Sequence, residues 1–409
     1  MFMLMGILLA TILAENAVAE EEHKFGSSAV DVLEVLLASY DKQARPFDGG
    51  PPVNINVSIY INRITSVSET KMEFTVDAYF RQYWQDPRLE ILGRSQQNFE
   101  VRLIGGMATK VWIPDIFIEN EISSYVHASP VFNDYFRLSP GGNLFRSTRF
   151  TFTLACPMNL QYFPMDIQTC AINLQSYSYP SSEMRLKWVD QKKIIAQEQT
   201  LLPNFEVKGC ELKSSTKELA ESVFSMLQLH ISLSRAVGFY IIQIYLPAAL
   251  LVVISWFSLW MNRFIAERIA LGLTTVLTIT TLLSSLNATA PKIPYIKAID
   301  VYMGICFTFV FMALLQSVAV AHRSRVRGNA GIKKETKGSQ NPCKHHGDRP
   351  MLFFPQVQLP HDFRYDASIW PMYMDQVARI VFPVAFLAVN GIYWGYFLYT
   401  SSVQQSMKK

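Results

Sequence analysis

Cys156 and Cys170 enclose thirteen residues and are the obvious pair among five cysteines; Cys210 stands alone, Cys306 sits in an apolar run and Cys343 in a polar loop. Joined as a disulfide, they would close a loop of about fifteen residues and stabilise the fold by roughly 3 kcal/mol through the unfolded chain. A second pattern is a stripe of small and hydroxyl side chains. At about 100° per helical residue, Ala270, Thr274, Leu277, Thr281, Ser284 and Ala288 fall on one face. Such a face suits lipid poorly and either meets water or packs against another helix through small residues and hydroxyls. Glu267, seven residues before Thr274, lies two turns away on the same face, and Arg268 about 100° off it. A third set sits on strands: Tyr79 and Arg81 on the wet side of an alternating run, and Phe224 beside Met226 and Gln228 opposite Leu227, Leu229 and Ile231. A phenylalanine on a polar face suits a ligand or an interface. No nucleophile elbow, metal-ligand helix motif, phosphate loop or membrane carboxylate dyad is present, so enzyme chemistry has no carrier. The segment Cys343–His346 has metal-ligand residue types but reads as a solvated loop, and no metal or cofactor is expected.

The elements that must hold these residues follow from patterning. Val53, Ile55, Val57, Ile59 and Ile61 alternate with Asn54, Asn56, Ser58, Tyr60 and Asn62; Met72, Phe74, Val76, Ala78 and Phe80 alternate with Glu73, Thr75, Asp77, Tyr79 and Arg81. Further alternating runs at 149–154 and 225–233, separated by turn residues, argue for an antiparallel β-sandwich of short strands. Residues 29–39 read as a short amphipathic helix. After Arg235 four long apolar stretches, near 238–261, 269–289, 299–321 and 377–400, can each cross a hydrocarbon core of about 30 Å. Half the 409 residues are hydrophobic and 13% aromatic, as expected of a chain lying partly in lipid. The net charge of +4 is unremarkable, and no basic stripe interleaved with aromatics supports nucleic-acid binding. Residues 1–19 end in Ala17-Val18-Ala19 after an apolar stretch and read as a signal peptide. The basic connection 322–372 is expected in the cytoplasm, which places the sandwich outside.

The segment from Cys156 to Cys170, with Phe163-Pro164-Met165-Asp166 at its centre, resembles the signature loop of the Cys-loop pentameric ligand-gated ion channels. The resemblance extends over YFRQYW at 79–84, DPRL at 86–89, VWIPD at 111–115, QIYLP at 243–247, LGLTTVLT at 271–278, KAID at 297–300 and FPVAF at 382–386. Among branches it is most similar to the GABA and glycine receptors and the invertebrate glutamate- and histamine-gated channels. It implies an extracellular sandwich domain over 20–235, three membrane helices over 236–321 with a pore helix near 268–289, the cytoplasmic loop 322–372, and a fourth helix with a tail over 373–409. It implies a multi-pass protein of the plasma membrane, with a postsynaptic setting in view, in which five like or unlike subunits surround the pore among lipids. A small agonist, an amino acid or an amine, binds between neighbouring sandwiches. Tyr79, Arg81, Arg137 and Ser147 match one face of that agonist site, and Phe117, Tyr177 and Phe224 match the other.

Two departures from the family pattern matter. Anion-selective members usually carry a small or proline pair before the arginine that opens the pore helix; here Ala266-Glu267 stands there, the pattern of cation-selective members. A ring of Glu267 carboxylates would attract cations, so cation selectivity is the expectation, with chloride selectivity as the alternative if Glu267 is neutralised by Arg268 or Arg263. Leu277 would form a hydrophobic constriction that closes by dewetting. The segment 214–222 lacks the aromatic and threonine usual before the position of Phe224, with Leu219 and Glu221 there instead, so an accessory or orphan subunit is a further alternative. Asn56-Val57-Ser58 is a glycosylation sequon on a wet face. Asn287-Ala288-Thr289 is another, too close to the membrane for use.

Overall fold

The computed structural model describes residues 36–90, 100–103, 105–139, 141–189, 194, 202, 204–219, 222–261, 265–289, 293–338 and 369–407. The signal peptide, most of the 29–39 helix, Glu221, Cys343 and the centre of the 322–372 connection lie outside these residues. The chain divides into two compact units: 1–158 with 168–234, and 159–167 with 235–409.

The first unit is built of strands. In chain order they are β1 (Val53–Ser68), β2 (Glu73–Glu90), β3 (Val101–Arg102), β4 (Ile116–Ile118), β5 (Glu121–Val126), β6 (Asp134–Leu138), β7 (Gly141–Ala155), β8 (Ile167–Ser176), β9 (Met184–Trp188), β10 (Phe205–Leu219) and β11 (Ser222–Arg235). One sheet runs β3-β6-β7-β2-β1-β9, with β5 also pairing with β7; the other runs β10-β11-β8-β4. The sandwich is as expected, but its strands are not short, since β2 has 18 residues and β1 has 16. Each face of a long strand can remain consistent because bulges reset it. A register shift between Ile61 and Arg63 moves the next buried residue to Ile64.

Val53, Ile55, Val57, Ile59 and Ile61 are all buried, as are Phe74, Val76 and Ala78. Each of the valine, isoleucine and phenylalanine side chains contributes about 1.5–3 kcal/mol by leaving water. Ser58, on the wet side by sequence, is 1% exposed, Phe80 is only half-buried, and three further positions differ from the alternation. Met72 precedes β2 in a left-handed turn (φ 55°), and its sulfur accepts the Met158 amide at 3.4 Å. Met226 is buried rather than wet. Asp77, on the wet face by sequence, is fully buried. Arg149 Nη2 donates to it at 2.7 Å, Asn62 Nδ2 at 3.2 Å, and Arg63 lies 3.3 Å away. Burial pushes its carboxyl up, but the bonds from Arg149 and Asn62 outweigh that and hold it below the usual range. Neighbouring arginines cover a wet-face carboxylate, which alternation alone does not encode. Cys156 and Cys170 form a disulfide.

Among the described residues, the second unit has four helices long and apolar enough to span a membrane: α1 (Gly238–Trp260), α2 (Ile265–Thr289), α3 (Ala298–Gly338) and α4 (Ile369–Met407). A π-type turn over Ile241–Tyr245 precedes Pro247 in α1. The missing proline N–H thus falls near the start of the next regular segment, where it disturbs least. The inward stripe of α2 is Arg268, Gly272, Thr275, Ile279 and Leu286. At Gly272 a Cβ would come within 2.7 Å of Leu314 Cδ1, so the glycine lets α2 and α3 approach closely. The tip of the signature loop, 159–167, belongs to this unit. Leu160 N donates to Tyr295 Oη at 3.0 Å, Ala298 N to Gln161 O at 3.0 Å, and Arg235 forms a buried ion pair with Asp166 at 2.7 Å.

Candidate functional site

Two sets of residues carry the functional reading, one in each unit. In the sandwich, β2 and β7 pair so that Arg81 lies opposite Ser147 and Tyr79 opposite Arg149. Directly opposed residues share a face, so Tyr79, Arg81 and Ser147 stand together. Arg81 packs against Tyr60 and Tyr79, its guanidinium carbon 5.6 and 6.0 Å from the ring centres. No carboxylate pairs with Arg81 among the described residues, so its donors remain available to an anionic group. Tyr79 and Ser147 also line a shallow cavity of about 290 Å³ with Phe132, Asn133, Asp134, Tyr135 and Arg149. Arg137 is placed differently. It lies on β6 opposite Phe145, sits over that ring at 5.3 Å and donates to Glu100 at 2.8 Å. Its charge is already engaged, unlike that of Arg81.

On the other sheet, Phe117 on β4 and Tyr177 just after β8 meet edge to face, with ring centres 5.6 Å apart and planes at 75°. Tyr177 is strongly exposed, as an unmet binding surface would be. Phe224 is half-buried on β11 and makes no ring contact with this pair among the described residues. Sequence reasoning missed two groups nearby. Glu119, two residues after Phe117 in the turn that follows β4, holds the Lys217 ammonium of β10, and Gln175 opposite Phe117 is buried. The period-two offset from Phe117 pointed to Glu119; the Lys217 contact, 98 residues away, had no local signal. Asn56 is exposed on β1.

In the helical unit, Glu267, Ala270, Thr274, Leu277, Thr281, Ser284 and Ala288 are all exposed along α2. The exposed arc is wider than the predicted stripe, since it also takes in Leu273, Thr278, Ser285 and Asn287. Arg268 turns the other way. Its Nη1 and Nη2 donate to the two carboxylate oxygens of Asp375 on α4 at 2.9 and 2.8 Å, and its Nε to Ser317 on α3 at 3.0 Å. Arg268 is thus withdrawn from Glu267; Arg263 lies outside the described residues.

The neurotransmitter-gated ion-channel ligand binding domain profile matches residues 29–237, and the neurotransmitter-gated ion-channel transmembrane region profile matches residues 244–345. The first match covers half of the chain and coincides with the sandwich, and the second begins within α1. A disulfide-closed loop, an exterior-type sandwich and four spanning helices are the parts such a receptor needs, and they describe a channel rather than an enzyme. The chain therefore belongs to the neurotransmitter-gated ion-channel family as a Cys-loop receptor subunit, a multi-pass membrane protein of a family whose typical assembly is a pentamer.

Proposed function

We propose that this subunit forms a cation-selective channel, opened by a small amino acid or amine bound between neighbouring sandwiches at a postsynaptic membrane. The observation that carries the reading is the opposite disposition of two adjacent charges: Arg268 is buried on Asp375, and Glu267 is exposed beside the hydroxyl stripe. Five carboxylates at one mouth of a pore raise the local cation concentration and repel chloride. The threonines favour the same sign. Thr274 donates its hydroxyl to Leu271 O at 2.9 Å and Thr281 to Thr278 O at 2.8 Å, so each turns lone pairs rather than protons outward. Leu277, 64% exposed in the single chain, supplies the dewetting constriction. Arg81 with Ser147 would take an anionic group of the agonist, and Phe117 with Tyr177 an ammonium or an apolar body.

The test does not require a known agonist. Leu277→Thr expressed alone is expected to leak, because a hydroxyl at the constriction favours wetting. Its reversal potential should follow external sodium and ignore replacement of chloride. A reversal that follows chloride refutes the Glu267 ring and leaves the GABA- and glycine-like reading in its place.

A further inference from the structure

We propose that Glu119 is an ammonium-binding position beside the Phe117–Tyr177 pair, that Lys217 of the same chain fills it, and that a primary-amine ligand enters by displacing Lys217. The proposal rests on reading those aromatics as the agonist face and adds the ligand class and the built-in competitor.

Phe117 lies opposite Gln175 in the β4–β8 register, and the Glu119 amide donates to Asn173 O at 2.9 Å. Phe117 and Gln175 therefore share one sheet face, and the backbone bond carries the pairing one residue past β4 to Glu119. Lys217 belongs to β10, the far strand of the order β10-β11-β8-β4. Three strand spacings would hold β10 and β4 about 14 Å apart in a flat sheet. The Lys217 ammonium nevertheless meets the Glu119 carboxylate, so these two long side chains reach toward each other across that span and strap the face between them.

Two further observations give the strapped position the character of a site. Gln175 is 6% exposed and its Oε1 has no hydrogen-bond partner among the described residues, an acceptor kept out of water without a donor. A ligand N–H would supply one. Phe117 and Tyr177, 5.6 Å apart, present aromatic surface to a cation close to the carboxylate. Carboxylate, amide oxygen and aromatic ring all favour a positively charged donor, and none favours an anion. The Lys217 and Glu119 side chains are 35% and 28% exposed. Water therefore reaches the pair and screens it, so it is weak enough to exchange with a competitor.

The test uses full-length protein purified in detergent and n-butylammonium, which reproduces the four methylenes and charge of lysine. Saturable thermal stabilisation by n-butylammonium is expected in Lys217→Ala at a half-saturating concentration at least tenfold below that of the wild type. Adding Glu119→Gln should abolish it, and n-butanol should have no such effect. Equal responses in all three proteins, or none in Lys217→Ala, overturn the proposal. Should Lys217→Ala not assemble, Glu119→Gln alone gives the answer. Releasing Lys217 is expected to speed amide hydrogen exchange across Phe205–Arg235, and unchanged exchange overturns the strap. These readouts report binding and local order without current flow, so failure here is distinct from failure of the selectivity reading.

Discussion

Replacing Asp375 with asparagine tests the arrangement on which the selectivity reading depends. Arg268 and Asp375 are 3% and 5% exposed, and the guanidinium is held by two carboxylate oxygens and the Ser317 hydroxyl. In Asp375→Asn the arginine keeps its charge and its burial but loses the compensating carboxylate. Removing one partner of a buried pair costs about 3–5 kcal/mol, because the remaining charge cannot recover its hydration. For a folding unit of this size each kcal/mol is worth about 2–4 °C in Tm, so a fall on the order of 10 °C is expected. Thermal stability of the detergent-purified assembly, followed by size-exclusion chromatography after heating, measures it. Removing both charges with Arg268→Met and Asp375→Leu should recover at least about half of the loss, since apolar pairs of similar volume replace buried ion pairs well. A fall under about 2 °C in Asp375→Asn, or a double variant no better than the single, would refute the claim that Arg268 is committed to α4.

Two further outcomes follow from the sandwich. Burial, and then Lys213, hold the His230 imidazole below its ordinary pKa, and its Nε2 is buried without a hydrogen-bond partner among the described residues. A depressed folded value means that the unfolded chain binds the proton more tightly. The stability is therefore present above about pH 6.5 and is lost as pH falls through the lower folded value. Lowering pH from about 7.5 to 5.5 should reduce Tm more in the wild type than in His230→Gln, and equal slopes would contradict it. Gly142 has φ of 73°, and a Cβ there would lie 2.4 Å from Asp86 O. Gly142→Ala should cost about 1–3 kcal/mol, measured as a lower denaturation midpoint, and an unchanged midpoint would mean that the turn relaxes freely.

Patterning was enough to locate most of what is regular in this protein. Period-two runs placed Val53, Ile55, Val57, Ile59 and Ile61 of β1 and Phe74, Val76 and Ala78 of β2 in the core, because a strand with one wet face must alternate. Four apolar stretches of membrane length placed the helices, because only satisfied backbone crosses lipid. The cysteine spacing and the motifs around it located the signature loop. At the candidate site the reading was less complete. Tyr79, Arg81 and Ser147 come together as their motifs imply, whereas Arg137 is engaged by Glu100, a partner 37 residues away.

What the local pattern could not contain was the partner of each charge. Asp77 reads as a wet-face residue and Arg268 as one member of an adjacent charged pair, yet both are buried. Arg149 covers the first from a strand 72 residues away and Asp375 the second from a helix 107 residues away. Glu119 and Lys217, separated by 98 residues, meet between strands that are not neighbours in the sheet. Periodicity states which face a side chain occupies, since that follows from backbone geometry at the residue itself. Which charge is neutralised and which remains free to act is decided by long-range approach, and that is a property of the tertiary structure alone.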